Sequence, residues 1–254
     1  MRQKDLVICP VYNEQATIAD FYRHLRTWYS QDVLFVDDGS TDGSGDFCAE
    51  AQGPCTFLLR HPARKGYGAA LRSGFRFSLG EGYTRIVTID GDLQHDPEYL
   101  PRLFRGLEQE EVVLGSRYMM QKEVGHVPQS RLSINRYISG LIQRLFSVRF
   151  TDPFCGLRGY RESFLKECLL SDESYGLGLE IILEIVRTRT PFTEVPIPAV
   201  YNNQLRRFLD GLDDPRTRLL YYLEILSAKR RTIIRETGCI DNALAGCAMD
   251  VVNR

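Results

Sequence analysis

The 254-residue sequence has no uninterrupted run of about 18 apolar residues, the length that a membrane-spanning helix requires. We therefore expect any contact with a membrane to be peripheral. The sequence also lacks an excess of either charge, since its formal net charge is −1, and it carries no recognisable nucleic-acid-binding motif. These two absences argue against a nucleic-acid partner.

No secretory signal pattern precedes the first apolar segment, which begins at Leu6. The seven cysteines are an odd number, and none of them form a Cys-x-x-Cys pair. This spacing argues against a disulfide framework and against a zinc site, and it favours a reducing compartment. We expect a cytoplasmic protein that can lie at the cytoplasmic face of a membrane.

Two common nucleotide-binding motifs are also absent. No Gly-x-Gly-x-x-Gly follows the first predicted strand, which argues against a dinucleotide-dependent enzyme. No Gly-x-x-x-x-Gly-Lys-Ser/Thr is present, which argues against a P-loop NTPase.

The first half of the sequence alternates apolar, strand-like runs with helical segments. Strands are predicted over 6–11, 31–36, 56–60, 85–89 and 111–115, with helices between them. This alternation predicts an α/β fold with a mainly parallel central sheet flanked by helices. Hydrophobic residues make up 43% of the sequence, which is enough to form a large core.

The second half has a different pattern. Arg117 and Arg131 lie in a basic segment of loop character, and 152–160 reads as a compact turn segment. Pro196 predicts an edge strand over 192–197, because proline cannot donate to a ladder. Helices are predicted over 134–148, 161–169, 177–187 and 215–236. We divide the chain into an α/β domain, 1–212, and a C-terminal part, 213–254, with an amphipathic helix and a tail.

A carboxylate turn follows the predicted strand 85–89, with the sequence Asp90-Gly91-Asp92-Leu93-Gln94. Side chains at the carboxyl end of a parallel strand lie where open α/β sheets bind ligands. Two close carboxylates repel each other unless a cation neutralises them, and oxygen ligands favour Mg²⁺ or Mn²⁺. Gly91 would let a ligand approach the backbone. The alternative is a polar turn in which Asp96 caps a helix that begins at Pro97.

Four segments occur in a fixed order: 10–14 (Pro-Val-Tyr-Asn-Glu), 36–43 (Val-Asp-Asp-Gly-Ser-Thr-Asp-Gly), 90–95 (Asp-Gly-Asp-Leu-Gln-His) and 115–118 (Gly-Ser-Arg-Tyr). Together they closely resemble the family 2 glycosyltransferases of the GT-A fold. The closest resemblance is to the branch of dolichol-phosphate mannosyltransferases and polyprenyl-phosphate glycosyltransferases. Segments 152–156 and 194–197 extend the resemblance, which covers residues 5–200.

The resemblance implies a set of site residues. The metal ligands would be Asp92 and Gln94, and the catalytic residues Asp90, Asp92 and Arg117. The acceptor phosphate would be bound by Arg117, Arg131 and Arg207. The nucleotide-sugar would be bound by Pro10, Tyr12, Glu14, Val36, Asp38, Lys65, Asp90, Gly91 and Asp92.

The resemblance also implies an inverting, metal-dependent transfer of a mannose- or glucose-type sugar from a GDP- or UDP-sugar to polyprenyl or dolichyl phosphate. A phosphate monoester is already an anionic nucleophile, so cationic side chains are needed more than a general base. We expect helix 134–148 to lie near the membrane surface, with the lipid tail along Ile138 and Leu141. A membrane-anchoring subunit is a further possible partner.

Two departures from the branch concern the acceptor. Asn202 stands where the branch has arginine, and its Gly-Glu-Ser-Lys is missing, with Arg206 and Arg207 near the lysine position. One alternative is a hydroxyl acceptor, which needs a general base such as Glu180. Another is a catalytically silent nucleotide-binding module, which the intact Asp90, Asp92 and Gln94 disfavour.

Overall fold

The computed structural model describes residues 3–119, 127–200 and 208–237. In this part of the chain a seven-stranded sheet has the order β3-β2-β1-β4-β6-β5-β7. The strands are β1 Asp5–Val11, β2 Asp32–Asp37, β3 Thr56–Arg60, β4 Arg85–Thr88, β5 Val112–Ser116, β6 Arg158–Arg161 and β7 Phe192–Pro196. All five predicted strands of the first half are present.

The sheet is mainly parallel, as the sequence predicts. β1 pairs in parallel with β2 and β4, β2 with β3, and β5 with β7. β6 is antiparallel to both of its neighbours, β4 and β5. The prediction of a turn over 152–160 was therefore wrong at its end, because residues 158–161 form a central strand. The strand that contains Pro196 lies at the edge of the sheet, as predicted.

Helices cover both faces of the sheet. They are α1 Ile18–Trp28, α2 Ser44–Glu50, α3 Tyr67–Gly80, α4 Leu100–Gly106, α5 Gln129–Phe146, α6 Glu162–Glu167, α7 Leu177–Thr188 and α8 Pro215–Thr237. A 3₁₀ turn, Pro97–Tyr99, precedes α4, and Asp96 caps it by accepting a 2.9 Å hydrogen bond from the amide of Glu98. None of the helices in the described ranges is both long and apolar enough to cross a membrane.

Two layers of core separate the sheet from its helices. Along β1, Leu6 and Ile8 face one layer, whereas Val7 and Cys9 face the other, as the two-residue period of a strand requires. The first layer also contains side chains of α3, α5, α7 and α8. The second contains side chains of α1 and α4.

Helix α5 begins earlier than predicted, so Arg131 lies in its first turn rather than in a loop. Ile138 is fully buried in the first core layer. The expectation that a lipid tail runs along Ile138 was therefore wrong, because residues spaced four apart on this helix face the sheet. Leu141 is only partly buried.

Helix α8 packs on the first core layer through Tyr222, Leu226 and Ile233. Leu220 lies on the opposite side of the helix and is 61% exposed. The side chains of α8 thus share a core with the α/β domain, and the division at residue 212 stays a prediction.

The carboxyl ends of β1, β2 and β4 lie at one edge of the sheet, because these strands are parallel neighbours. Segments 10–14, 37–44 and 89–95 follow these ends. Segment 115–118 follows β5, which runs in the same direction as β4 because both strands are antiparallel to β6. The fold therefore brings all four motif segments to the edge where such sheets bind ligands.

Candidate active site

The carboxylate turn begins directly after β4. The hydroxyl of Tyr67, the first residue of α3, donates a hydrogen bond of 3.0 Å to Oδ1 of Asp90. The other oxygen of Asp90 lies 3.4 Å from Nδ1 of His95. Asp92 accepts a hydrogen bond of 3.0 Å from the amide of Gln94, which closes the turn. Asp90 is thereby held by a hydrogen bond from α3.

Two glycines let other segments pack against this turn. A Cβ on Gly156 would clash with Oδ2 of Asp90, so the 152–156 segment can pass the carboxylate only with glycine there. A Cβ on Gly91 would instead face the core, 3.3 Å from Sγ of Cys9 and from Cδ1 of Ile18. Gly91 therefore serves packing against β1 and α1, whereas the sequence suggested an approach by a ligand.

His95 and Cys155 are buried behind Asp90. Nε2 of His95 lies 3.7 Å from Sγ of Cys155. Burial lowers the pKa of His95 below its ordinary value, although the carboxylate of Asp90 acts in the opposite direction. Burial raises the pKa of Cys155 to about 12. At neutral pH both side chains are therefore uncharged, and no described residue forms a hydrogen bond with Nδ1 of His95.

The donor set of the turn fits a hard divalent cation. Asp90, Asp92 and Gln94 supply carboxylate and amide oxygens on one wall of a cavity. In the described part of the chain, no group of three or more His, Cys, Asp or Glu side chains is arranged to enclose a metal ion. Mg²⁺ commonly takes one or two carboxylates and completes its shell with water and substrate phosphate oxygens. The turn offers such an incomplete set of oxygen ligands.

Arg117 follows β5 and is held by Asp152. Its Nε donates to Oδ2 of Asp152 at 2.7 Å, and its Nη2 donates to Oδ1 at 3.0 Å. The carboxylate of Asp152 is fully buried and the side chain of Arg117 is 12% exposed. This two-bond pair sets the direction of the guanidinium, which lines the same cavity as Asp90.

This cavity, which we call the basic cavity, has a volume of about 130 Å³. One wall consists of Asp90, Asp92, Gln94 and His95. Four guanidinium side chains also line it, those of Arg117, Arg131, Arg158 and Arg218. Apolar side chains fill the remaining wall, among them Leu71, Ile134, Phe154, Ile181 and Tyr222. Carboxylates, cations and apolar surface thus face one space.

A second cavity, which we call the loop cavity, has a volume of about 280 Å³. It contains four of the side chains predicted to bind the nucleotide, namely Pro10, Tyr12, Glu14 and Asp38. Tyr67 and Tyr175 line both cavities. Their rings are stacked, with centroids 5.6 Å apart and an interplanar angle of 12°. This aromatic pair forms the partition between the two cavities.

Asp38 organises the loop that precedes α3. Its Oδ1 accepts hydrogen bonds from Nδ1 of His61 at 2.7 Å and from the amide of Lys65 at 2.8 Å. Its Oδ2 accepts from the amide of Gly66 at 2.7 Å. The neighbouring Asp37 shapes the turn, since it accepts a 2.9 Å hydrogen bond from the amide of Ser40.

The remaining predicted residues are placed differently. The side chain of Val36 is fully buried in the first core layer and faces neither cavity. Lys65 is exposed, and its side chain lines neither of the two cavities. Arg207 lies outside the described residues, as do Asn202 and Arg206. Glu180 is buried and accepts hydrogen bonds of 2.8 Å from the amides of Ser171 and Asp172.

Several residues that line the basic cavity were not predicted from the sequence. Arg158, on the unpredicted strand β6, is 2% exposed and donates to the carbonyls of Cys155, Pro153 and Gly178. Arg218 on α8 is 4% exposed. Its spacing from Tyr222, Leu226 and Ile233 puts it on the buried stripe of that helix. An arginine on an otherwise apolar stripe is visible in the sequence and could have indicated a functional residue.

Comparison with known sequences agrees with this geometry. Residues 6–169 match the sequence model described as glycosyl transferase family 2. The chain belongs to this family. It is therefore a glycosyltransferase, and the residues that carry the resemblance noted in its sequence lie mostly within the matched range.

Two relatives of this family 2 glycosyltransferase are similar over most of their length. The undecaprenyl-phosphate mannosyltransferase of Micrococcus luteus is 32% identical over 201 residues, which are 77% of this chain and 83% of the relative. The polyprenol monophosphomannose synthase of Mycolicibacterium smegmatis is 31% identical over 208 residues, which are 80% and 78% of the two chains.

Solved structures show the same fold. The glucosyl-3-phosphoglycerate synthase of Mycobacterium tuberculosis, in complex with uridine diphosphate, superposes with a TM-score of 0.65 at 18% identity. The match covers 94% of this chain and 82% of the synthase. The family 2 glycosyltransferase described here thus has the GT-A fold that its sequence predicts.

Proposed function

We propose that this glycosyltransferase moves a sugar of the mannose or glucose type from a nucleotide-sugar to the phosphate of a polyprenyl phosphate. The observation that carries the proposal is the composition of the basic cavity. Asp90, Asp92, Arg117 and Arg131 line it, together with apolar side chains such as Ile134 and Phe154. A lipid phosphate needs both cationic partners and apolar surface, and a carboxylate turn beside them suits the diphosphate of a donor.

The named relatives support this assignment of the acceptor. One is a mannosyltransferase of undecaprenyl phosphate and the other a synthase of polyprenol monophosphomannose. Transfer assays with GDP-linked and UDP-linked donors distinguish the two nucleotides, and mannose from glucose.

The donor would occupy both cavities. Its nucleoside would lie in the loop cavity with Pro10, Tyr12 and Glu14, and its diphosphate would pass the Tyr67–Tyr175 partition towards Asp92. Asp92 and Gln94 would hold a divalent cation, with Asp90 beside it, and the cation would neutralise negative charge on the departing nucleoside diphosphate. Tyr67 keeps the carboxylate of Asp90 in place for this contact.

The acceptor phosphate would lie against Arg117 and Arg131. Arg117 is already oriented by Asp152, so little freedom is lost when it binds a phosphate oxygen. Because a phosphate monoester is anionic at neutral pH, it can attack the anomeric carbon without a general base. Direct attack opposite the leaving diphosphate would invert the configuration of that carbon.

A hydroxyl acceptor would need a general base, and Glu180 does not suit that role. Its carboxylate already accepts bonds from the amides of Ser171 and Asp172, and it lines neither the basic cavity nor the loop cavity. Its buried position at the start of α7 indicates a structural role.

The proposed acceptor is a membrane lipid. A lipid phosphate would bring the chain to a membrane surface, so we propose peripheral association at the cytoplasmic face. Whether a membrane-anchoring subunit is needed can be read from the activity of the purified chain on detergent-dispersed acceptor.

The proposal is tested by incubating the purified chain with radiolabelled GDP-mannose or UDP-glucose, undecaprenyl phosphate in detergent, and Mn²⁺ or Mg²⁺. We expect label to enter the organic phase with one donor, and chelation with EDTA to abolish the transfer. Asp92→Asn should remove most of this transfer, whereas Asp46→Asn, at an exposed position, should retain it. Transfer of label to water or to soluble hydroxyl compounds, with none to lipid phosphate, would refute the proposal.

A further inference from the structure

Arg218 carries a buried positive charge for which the described chain supplies few partners. It lies in the first turn of α8 and is 4% exposed. Its Nη1 donates to the carbonyl of Leu212 at 2.7 Å and to that of Asp213 at 3.4 Å. No acceptor among the described residues takes a hydrogen bond from its Nε or Nη2, so these N–H groups remain for another molecule.

Two half-buried arginines of the described chain are paired with carboxylates, and the buried Arg158 donates to three backbone carbonyls. Arg85 forms a pair with Asp5 at 2.6 Å, and Arg117 forms one with Asp152 at 2.7 Å. A buried cation without a carboxylate partner is costly, and a bound anion would offset that cost. Burial also lowers the pKa of Arg218, and the charge of Arg131 contributes in the same direction.

Arg218 and Arg131 flank one aromatic ring. The guanidinium carbon of Arg218 lies 4.5 Å from the ring centroid of Phe208, and that of Arg131 lies 4.8 Å from it. Both side chains also line the basic cavity. Two like charges held beside the same ring form a favourable site for a group that carries more than one negative charge.

The helix that carries Arg218 also supplies apolar surface beside it. Tyr222, one helical turn further along, stacks on Phe154 with ring centroids 4.4 Å apart. Both rings line the basic cavity. A ligand whose phosphate reaches Arg218 would therefore place the next atoms of its chain against aromatic rings.

We propose that Arg218 donates hydrogen bonds to the phosphate of the acceptor, together with Arg131, and that α8 thereby forms part of the acceptor-binding site. This inference rests on the proposed function. A phosphate monoester fits because it offers several oxygens and up to two negative charges to the two guanidinium groups. Arg218 lies beyond the range 6–169 that matches the family, so the family motifs do not contain it.

The inference is tested with Arg218→Met, Arg218→Lys and the matched control Arg216→Met, which changes an exposed arginine of the same helical turn. The Michaelis constant for farnesyl phosphate is measured at saturating donor, and that for the donor at saturating farnesyl phosphate. Loss of charge-assisted hydrogen bonds should raise the acceptor constant of Arg218→Met by about tenfold or more. Arg218→Lys should lie between it and the wild type, and the donor constant should be unchanged in all variants.

A binding measurement distinguishes a lipid phosphate from a free one. Farnesyl phosphate should raise the melting temperature of the wild type and of Arg216→Met, and should do so much less for Arg218→Met and Arg218→Lys. Inorganic phosphate and phosphoglyceric acid should give smaller shifts, because they lack the apolar chain. Equal or larger shifts with these soluble phosphates would overturn the lipid assignment.

Different results would refute the role of Arg218 and the proposed function. If the wild type transfers sugar to lipid phosphate but the Arg218 variants keep its acceptor constant, the role of Arg218 is refuted and the proposed function stands. If Arg218→Met raises the donor and acceptor constants equally, a general structural role replaces the specific one. Absence of any transfer to lipid phosphate by the wild type would overturn both.

Discussion

The hydroxyl of Tyr67 lies 3.0 Å from Oδ1 of Asp90 and donates a hydrogen bond to it. Because Tyr67 also lines both cavities, this bond links the partition between them to the carboxylate turn. The site is therefore not two independent pockets. A residue that borders the loop cavity fixes a carboxylate of the basic cavity.

Tyr67→Phe should lower kcat/KM for the donor by about tenfold, since a hydrogen bond to a charged group is lost while the stacked ring remains. The melting temperature should change little. Steady-state kinetics check the prediction, with Tyr137→Phe as the control, because Tyr137 is 43% exposed on α5. Equal kinetics for Tyr67→Phe and the wild type would show that Asp90 does not need this hydrogen bond.

Asp152→Asn should lower the stability of the protein as well as its transferase activity. The change leaves the nearly buried guanidinium of Arg117 without its carboxylate, and breaking such a pair costs about 3 kcal/mol. Urea denaturation measures the free energy of unfolding. In the control Asp20→Asn, the lost partner Arg23 has a side chain that is 76% exposed, and the cost should stay below about 1 kcal/mol. Similar losses in the two variants would contradict the role given to Asp152.

Much of the fold could be predicted because the strands of the first half are buried runs of apolar residues. Strand β6 was not predicted, since Arg158-Gly159-Tyr160-Arg161 is short and has two charged residues. It is held in the sheet by pairing with β4 and β5 and by the bonds of Arg158 to carbonyl groups. Those contacts come from distant parts of the chain, which local patterns do not report.

The candidate site, like the fold, could be predicted only in part from the sequence. The motif segments correctly indicated that residues 10–14 and 90–94 lie at one edge of the sheet, because parallel strands impose that arrangement. The direction of each side chain could not be predicted. A side chain at position 91 would point towards Cys9 in the core, and Val36 lies in the core as well. Both residues belong to the same motif segments as Asp90 and Asp38, which line the cavities.

Cysteine reactivity gives a further prediction. Burial raises the pKa of Cys155 to about 12, so its thiol stays almost entirely protonated at pH 8. Iodoacetamide should therefore alkylate the half-buried Cys55 well before Cys155 in the native protein, and peptide mass spectrometry can follow both sites. Alkylation of the two cysteines at equal rates would show that Cys155 is not enclosed as described.

The central claim is that the basic cavity receives the lipid phosphate while the loop cavity receives the nucleoside. Photo-crosslinking with a short prenyl phosphate that carries a benzophenone group tests it most directly, with the modified peptides mapped by mass spectrometry. We predict adducts on the walls of the basic cavity, in peptides that contain Ile134, Phe154, Ile181 or Tyr222, and their suppression by excess farnesyl phosphate. Adducts confined to the 10–14 loop, or labelling that excess farnesyl phosphate does not suppress, would contradict the claim.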